Sequence, residues 1–311
     1  NHFMKDLSKL MQAQLKEDHI DLLDSIAETA THDQVSVYVV GGFVRDLLCN
    51  IKNLDIDLVV EGDGIRFAEK LAAKHNGQTL NYKKFGTSTL TLEGLSTIDV
   101  ATARTEYYPY PAALPEVKPS LIKLDLARRD FTINSMAIKL NGQGIFCLID
   151  LFGGETDLKD GLIRVLHDRS FMDDPSRIFR AIRFEQRFDF CIESQTKNLI
   201  EIAIEKNFIG GLSGERLMNE IKILLNESDP MKCIERMREL LLLQAIVPEI
   251  FDDKLRWVTL KKINSALIWA DMIPMPKKPE TWFVYFYVLF MIDNNEAFEV
   301  MMTRLNFPNS I

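Results

Sequence analysis

The sequence predicts an α+β protein, in which a mixed sheet with helices is followed by an almost entirely helical region. Two observations carry this prediction. Short β-branched and aromatic runs fall within about the first 150 residues. From residue 155 onward, apolar residues recur with the helical period. The predicted segments are a helical lead-in at 1–34, a mixed region at 35–148, a helical region at 149–228 and a second, truncated helical region at 229–311.

The strands are predicted from β-branched runs and from alternation. Val35–Val40 is β-branched and aromatic and is broken by two glycines. Leu54–Val60 alternates and then becomes fully apolar, which is typical of a strand buried on one side. Further strands are predicted at 88–92, 97–101 and 145–149.

Helical periodicity predicts amphipathic helices within residues 4–30 and further helices at 43–49, 65–75 and 126–138. Four prolines within residues 104–121 exclude a helix or the interior of a sheet, so this stretch predicts a long, mobile loop. The apolar run Trp282–Ile292 is too short to span a bilayer and predicts a buried helix.

Composition narrows the classes of protein that the chain can represent. It has 311 residues with a formal net charge of −8, which disfavours a nonspecific polyanion binder because phosphates are bound by Lys and Arg. An RNA would need a local basic surface or a part of the protein outside this chain. The cysteines at 49, 147, 191 and 233 form no CxxC pair, which indicates a reduced, cytoplasmic protein without structural zinc. No signal peptide is visible, and we expect no membrane partner.

Two aspartates two residues apart are the strongest local signal for chemistry. Asp55 and Asp57 would share one face of a strand, because residues i and i+2 point to the same side. Like charges on one face favour a divalent cation between them, and Mg²⁺ prefers carboxylate oxygens. Asp99 would add a third carboxylate if its strand is the neighbour of the first. The alternative is that all three are ordinary solvated positions.

The glycine pair Gly41-Gly42 lies between a predicted strand and a predicted helix. Its backbone amides can approach a phosphate closely because no side chain intervenes. A tight strand-to-helix turn is a sufficient explanation without a ligand.

Two arginine-rich stretches predict contacts with phosphates. Arg128-Arg129-Asp130 opens a predicted helix, and the planar guanidinium suits phosphate and ribose oxygens. The alternative is a solvated helix terminus with an internal Arg–Asp pair. In the second stretch, Asp174 and Pro175 suit the N-cap and first position of a helix.

Three arginines follow at steps of three: Arg177, Arg180 and Arg183. On a helix of 3.6 residues per turn they form a curved stripe, here called the arginine stripe. A polyanion such as a triphosphate would relieve the repulsion between them, and a solvent-facing stripe paired with acids is the alternative. Ser213-Gly214-Glu215-Arg216 predicts only a capped helix start.

Together these stretches resemble one family, the class II tRNA nucleotidyltransferases and bacterial poly(A) polymerases, over roughly residues 35–225. The first family motif is similar to Gly41–Asp46 with Asp55-x-Asp57, and the second to Arg128–Asn134. Asp150–Leu158 resembles the motif that joins head and neck. Asp173–Phe184 resembles the nucleotide-selecting motif, although the usual Glu-Asp opening is Asp173-Asp174 here.

The resemblance implies a polymerase-β-like catalytic head at 35–148, a nucleotide-selecting neck at 149–228 and a body at 229–311. It implies two Mg²⁺ ions, with Mn²⁺ as an alternative, held by Asp55 and Asp57, and Asp99 at the third carboxylate position. In this reading Asp174 and Arg177 bind the base edge, and Arg180 and Arg183 bind the triphosphate. The implied nucleotide-binding residues are Gly41, Gly42, Arg45, Arg128, Arg129, Asp130, Asn134, Asp174, Arg177, Arg180 and Arg183.

The implied function is addition of AMP from ATP, or of CMP from CTP followed by AMP, to the 3′ end of tRNA or another RNA. The stretch 105–119 resembles that of A-adding relatives, some of which carry further N-terminal domains. Three alternatives stay open: poly(A) synthesis, nucleotide transfer to a substrate other than RNA, and a non-catalytic nucleotide- or RNA-binding module. The hypothesis requires the first two aspartates to share a sheet face and the arginine stripe to face them.

Overall fold

The structure is a computed structural model that describes residues 5–52, 55–94, 97–247, 254–273, 279–290, 299 and 302–305. Tertiary contacts divide the chain into two compact units. Unit 1 comprises Asn1–Pro109 and Pro115–Leu166, and unit 2 comprises Tyr110–Leu114 and His167–Ile311. The predicted segment boundaries at 34, 148 and 228 stay predictions.

Unit 1 is built around a seven-stranded mixed sheet with the strand order β3-β4-β5-β2-β1-β8-β9. Strands β2 and β5 run parallel, and the other neighbours pair antiparallel. The elements of unit 1 are α1 (Ser8–Gln14), α2 (Glu17–His32), β1 (Ser36–Val40), α3 (Gly42–Leu48), β2 (Ile56–Glu61), α4 (Gly64–Lys74), β3 (Gln78–Tyr82), β4 (Thr87–Thr91), β5 (Ile98–Thr102), β6 (Arg104–Tyr107), β7 (Glu116–Pro119), α5 (Ile122–Ala127), β8 (Met136–Lys139), β9 (Leu148–Asp150), α6 (Gly154–Asp160) and β10 (Leu162–Ile163).

The two faces of the sheet bury different sets of side chains, because alternate residues of a strand point to opposite sides. On one face α4 packs against β2 to β5 and buries Phe67 and Leu71. On the other face Val59 belongs to a core cluster that includes Ile122 and Leu126 of α5. Asp57 is two residues before Val59 in β2, so it lies on the α5 face.

The predicted helix at 126–138 is wrong. Helix α5 ends at Ala127, and after a 3-10 turn at Thr132–Asn134 the chain enters strand β8. Side-chain bonds compete with the helical ladder here, because the Asp130 carboxylate accepts from Phe131 N (2.8 Å) and Thr132 Oγ1 donates to Asp157 (2.6 Å).

The prediction of a long loop at 104–121 is wrong in part. Strands β6 and β7 pair antiparallel as a separate two-stranded sheet, with Arg104 opposite Pro119. Proline is tolerated there because an edge strand leaves one row of amides unpaired. Strand β3 was not predicted, since its alternation is mostly polar and Leu80 is 59% exposed.

Among its described residues, unit 2 is helical apart from one two-residue strand and the connecting segments. Ser213 accepts a hydrogen bond from Arg216 N, so the predicted capped helix start is confirmed. Helix α14 buries Tyr285, Phe286 and Leu289 and contains Trp282–Phe290 of the apolar run predicted to be a buried helix; residues 291 and 292 are outside the described ranges. The elements are α7 (Ser170–Asp173), α8 (Arg177–Phe188), β11 (Cys191–Ile192), α9 (Ser194–Glu205), α10 (Gly214–Leu225), α11 (Pro230–Glu239), α12 (Leu242–Ile246), α13 (Lys254–Asp271) and α14 (Thr281–Phe290).

Within the described part of the chain, none of the helices combines the length and the apolar character that crossing a bilayer requires. The mixed sheet with helices in unit 1, followed by the helical unit 2, confirms the predicted α+β class.

Candidate active site

Asp57 and Asp99 occupy paired positions on two adjacent parallel strands. Strands β2 and β5 are therefore neighbours, as the hypothesis required of Asp99. On the next strand, Thr89 is paired with Asp99, and its Oγ1 donates to Asp99 Oδ1 at 2.7 Å. Asp55 is exposed and directly precedes β2. The result is a polar row, Thr89–Asp99–Asp57, across three strands on the α5 face.

The charges around Asp57 suit a cation. The pKa of Asp57 is raised to about 6, chiefly by burial; the charges of Asp99 and Asp55 act in the same direction, while Arg129 and Arg45 oppose the rise. Within the described ranges, no group of three or more His, Cys, Asp or Glu side chains is arranged as metal ligands. The donors available are nevertheless carboxylate oxygens held near one another, which fit a hard divalent ion.

The turn at Gly41 is shaped by Arg129. Gly41 has a φ of +67°, a conformation that favours glycine, and a Cβ built there would lie 2.8 Å from Arg129 Nη1. The guanidinium therefore occupies the space beside the turn that precedes α3. This brings the second predicted motif against the first and close enough to Asp57 to lower its pKa.

A buried hydrogen-bond network also joins these two motifs. Arg45 is only 6% exposed; its Nε donates to Asp46 Oδ1 (2.8 Å) and its Nη1 to Asn134 Oδ1 (2.7 Å). Asn134 Nδ2 in turn donates to Asp130 Oδ1 (3.1 Å). In this structure Arg45, Asp130 and Asn134 hold the two loops together, and their contact with a nucleotide stays a prediction.

Sequence reasoning missed Asp125, a carboxylate with no exposed surface. It accepts from Arg128 Nε (3.0 Å) and Nη2 (2.8 Å), from Arg129 Nη2 (3.2 Å) and from Arg104 N (3.2 Å). Burial alone would raise the pKa of Asp125, but the two guanidinium groups outweigh it and the pKa is lowered. The i, i+3 and i, i+4 spacing to the two arginines was a signal that could have revealed it.

Glu106 was missed as well. Its carboxylate accepts from Arg128 Nη1 at 2.7 Å and from Arg104 Nη2 at 3.2 Å. Arg128 is thus held from two sides, by Asp125 and Glu106. The pairing joins positions 22 residues apart, so no local pattern indicated it.

An open cleft of about 330 Å³ lies in front of the polar row. Asp57, Asp99 and Arg129 line it, and residues of β3 and β4 extend it. Its lining includes Val40, Asp57, Val59, Tyr82, Thr87, Thr89, Asp99 and Arg129.

In unit 2, the predicted N-cap at Asp174 is wrong by two residues. Helix α8 begins at Arg177, and Asp174 Oδ1 accepts from Ser176 N (3.0 Å) and Ser176 Oγ (2.6 Å) in the preceding turn. Proline at 175 precedes the helix instead of opening it. Asp174 also accepts from Arg216 Nη2 at 2.8 Å, so Arg216 does more than belong to a capped helix start.

The first arginine of the arginine stripe is buried, and the other two lie against an aromatic ring. Arg177 is 6% exposed, and its Nη1 donates to Ser170 Oγ at 2.8 Å. The guanidinium carbons of Arg180 and Arg183 lie 5.5 and 5.1 Å from the ring centroid of Phe184. A wholly solvent-facing stripe is therefore excluded. That the stripe faces Asp57 stays a prediction.

Comparison with known proteins agrees with this geometry. The model of the Poly A polymerase head domain matches residues 37–164, and that of the probable RNA and SrmB-binding site of polymerase A matches residues 189–254. The A-adding tRNA nucleotidyltransferase of Geobacter sulfurreducens is 43% identical over 302 residues. The match covers 97% of this chain and 34% of that relative, so this chain spans about a third of the relative's length.

Solved structures extend the comparison to the fold. A CCA-adding enzyme in apo form II has a TM-score of 0.92 at 40% identity, covering 99% of this chain and 72% of that chain. The Thermotoga maritima CCA-adding enzyme complexed with tRNA has a TM-score of 0.86 at 38% identity, covering 99% and 71%. The predicted resemblance is confirmed: this chain belongs to the family of tRNA nucleotidyltransferases and poly(A) polymerases.

Proposed function

We propose that this protein is a template-independent RNA nucleotidyltransferase that transfers AMP from ATP to the 3′ end of tRNA and releases pyrophosphate. The observation that carries the proposal is the polar row with Asp57 and Asp99, adjoined by the Gly41 turn and Arg129. Paired carboxylates beside a glycine turn and a fixed guanidinium suit phosphoryl transfer, which depends on positioning and charge stabilisation. Adenylate is favoured because the 43% identical relative is named as A-adding.

Asp55 and Asp57 would hold the divalent metal ions that nucleotidyltransferases of this family generally use. We propose two Mg²⁺ ions, with Mn²⁺ as the alternative. Bound there, such ions supply charge that stabilises the attacking and leaving oxygens. Arg128 and Arg129 are held by Asp125 in one orientation and would bind the triphosphate.

The protein's part in the reaction is to orient two reactants. The 3′-hydroxyl of the RNA releases its proton to solvent, and its oxygen forms a bond to the α-phosphorus of ATP while the bond between that phosphorus and the bridging oxygen of pyrophosphate breaks. The Gly41 amide and Arg129 would keep the phosphates in line with that oxygen, which is the positioning that such a displacement needs.

Asp174 and Arg177 would select the base. Each is fixed by neighbours, since Arg216 and Ser176 hold Asp174 and Ser170 holds Arg177. A base edge that cannot satisfy these groups leaves a buried donor or acceptor unpaired, which makes the wrong nucleotide costly. Selection would therefore come from unit 2 and the chemistry from unit 1.

The test uses tRNAs that end without CCA, after C, after CC and after CCA, each incubated with labelled ATP or labelled CTP alone. We expect one AMP to be added to the tRNA that ends in CC, and no CMP to be added to any. Incorporation of CMP would indicate CCA addition, and a run of adenylates would indicate poly(A) synthesis. ATP turnover without RNA, or ATP binding without release of pyrophosphate, would contradict the proposal.

A further inference from the structure

One half of the α5 face of the sheet carries large side chains that remain exposed. Leu80 and Tyr82 of the edge strand β3 are 59% and 48% exposed. Through the strand pairing, Leu80 stands opposite Thr89, the residue that donates to Asp99. Tyr82 lines the cleft together with Asp57 and Asp99. An aromatic ring is thus available to a ligand at the open side of the polar row.

Different strands lie on the two sides of β2, the strand that carries Asp57. The Gly41 turn follows β1, and Arg129 precedes β8, so the proposed phosphate-binding groups lie on the β1 and β8 side of β2. Strands β5, β4 and β3 follow on the other side. In-line displacement requires the attacking hydroxyl to approach opposite the leaving pyrophosphate, so the acceptor approaches over β5, β4 and β3.

The distance between Asp99 on β5 and Tyr82 on β3 suits a single nucleoside. Strand β3 is two strand spacings from β5, and Tyr82 is in register with Ala101, two residues beyond Asp99. The backbone of Tyr82 is therefore roughly 12 Å from that of Asp99, a distance that a tyrosine side chain and a nucleoside at Asp99 span together. A tyrosine ring stacks on any base because every base has a π-face. Lys83 and Lys84, which follow Tyr82 and are exposed, add positive charge where an RNA backbone would pass.

We propose that Tyr82 is the stacking platform for the 3′-terminal base of the acceptor RNA and thereby positions the attacking hydroxyl at Asp99. This inference rests on the proposed function and names the substrate that occupies the β3 side of the cleft. Tyr82 is a positioning residue that contacts the acceptor and leaves the incoming ATP untouched.

The first test compares Tyr82→Ala and Tyr82→Phe in steady-state AMP addition to a tRNA that ends in CC. We expect Tyr82→Ala to raise the KM for tRNA by about tenfold or more, the size of one lost base–aromatic stack, with the KM for ATP unchanged. Tyr82→Phe should restore the wild-type value because stacking needs only the ring. Tyr287→Ala removes a tyrosine of similar exposure (52%) on α14 and serves as the matched control.

The second test removes the base instead of the ring. A tRNA whose last nucleotide is abasic should raise the KM of the wild type by the same factor, and Tyr82→Ala should add nothing further, because two changes that delete one contact are not additive. If the abasic nucleotide and Tyr82→Ala each raised the KM for tRNA independently, so that the two increases multiplied, the inference would be overturned. So would a KM for tRNA that is unchanged in Tyr82→Ala, or an increase confined to ATP.

A binding measurement keeps the test valid if the variants turn over slowly. With 2-aminopurine as the last base of the tRNA, stacking on Tyr82 should quench its fluorescence in the wild type and Tyr82→Phe, and quenching should be lost in Tyr82→Ala. Equal quenching in all three would refute the platform. A wild type that transfers no nucleotide to tRNA, yet shows quenching that depends on Tyr82, would contradict the proposed function and leave the platform standing.

Discussion

The arginines proposed to bind phosphates are held in different ways in the two units. In unit 1, Arg128 and Arg129 bond to the buried carboxylate of Asp125, which fixes the plane and the position of each guanidinium. In unit 2, Arg180 and Arg183 lie over the ring of Phe184, and the contact of Arg183 Nε with Glu227 Oε1 is long at 3.9 Å. Ion pairs of the first kind are directional, whereas a ring face tolerates sliding. Under the proposed function, unit 1 would hold phosphates rigidly for chemistry, and unit 2 would adapt to the nucleotide.

The largest effect that this comparison predicts is for Asp57→Asn. AMP addition should fall by at least roughly a hundred- to a thousandfold, the size of removing one essential electrostatic group, because the row loses the carboxylate proposed to hold the metal ions. The fold should persist, since asparagine has the same shape and burial already disfavours the charged carboxylate. Labelled ATP incorporation and a thermal melt measure the two quantities.

Asp18→Asn is the control for Asp57→Asn, since Asp18 is an exposed aspartate on α2. It should leave both the rate and the melting temperature unchanged. If Asp57→Asn retained near-wild-type activity, the chemistry would not lie in unit 1 and the comparison would fail.

Asp125→Asn should have the next largest effect. Removing one partner of a buried ion pair leaves uncompensated charge and costs about 3 kcal/mol of stability. With Arg128 and Arg129 loosened, kcat/KM for ATP should fall by up to about a hundredfold, the cost of misplacing a group by about 1 Å. Urea unfolding and steady-state kinetics measure the two changes.

Glu185→Gln separates stability from function in this experiment. Glu185 is a buried carboxylate of α8 that accepts from Arg236 Nε at 2.7 Å and is not among the proposed nucleotide-binding residues. The Glu185→Gln variant should lose about as much free energy of unfolding as Asp125→Asn, while its kcat/KM for ATP stays near the wild-type value. An equal loss of kcat/KM in Glu185→Gln and Asp125→Asn would show that instability alone explains the kinetic effect.

The sequence predicted the strands with strong apolar patterns and the motifs whose members are close in the chain. The prediction from sequence failed where contacts between distant parts of the chain determine the local structure. Side-chain bonds of Asp130 and Thr132 ended the predicted helix early, and an edge strand with mostly polar alternation, β3, left too weak a pattern. Glu106 could not be predicted because it meets Arg128 only in the fold, whereas Asp125 was within helical reach of both arginines and was overlooked.

Gly41→Ala tests whether Arg129 must stay where Asp125 holds it. The new methyl group would lie 2.8 Å from Arg129 Nη1 and push it away, and we expect kcat/KM for ATP to fall by about tenfold. Gly94→Ala is the matched control, because Gly94 also has a positive φ (+76°) and nothing lies within 4 Å of its Cβ position. Both variants should lose stability from backbone strain, roughly 1 to 3 kcal/mol, with the larger loss in Gly41→Ala because the ψ of −124° at Gly41 lies outside the left-handed helical region. An equal loss of kcat/KM in Gly41→Ala and Gly94→Ala would show that backbone strain, and not displacement of Arg129, causes the kinetic effect.

The smallest predicted effect lies in unit 2, where Arg216 holds Asp174. The pair is partly exposed, with side-chain exposures of 25% and 20%, so its contribution is about 0.5 to 1 kcal/mol. Arg216→Ala should relax the preference for ATP over CTP and GTP, measured as a ratio of kcat/KM values, by about two- to fivefold. Arg177→Ala, which removes a proposed base contact, should relax it by roughly tenfold.

Arg216→Lys refines that last comparison, because it keeps the charge and loses the planar fork. A preference midway between Arg216→Ala and the wild type would show that orientation of Asp174 matters beyond its charge. If Arg216→Ala relaxed the preference as much as Arg177→Ala, Arg216 would contact the base itself. If it had no effect, Ser176 alone would suffice to hold Asp174, and unit 2 would be as rigid as unit 1 despite its different chemistry.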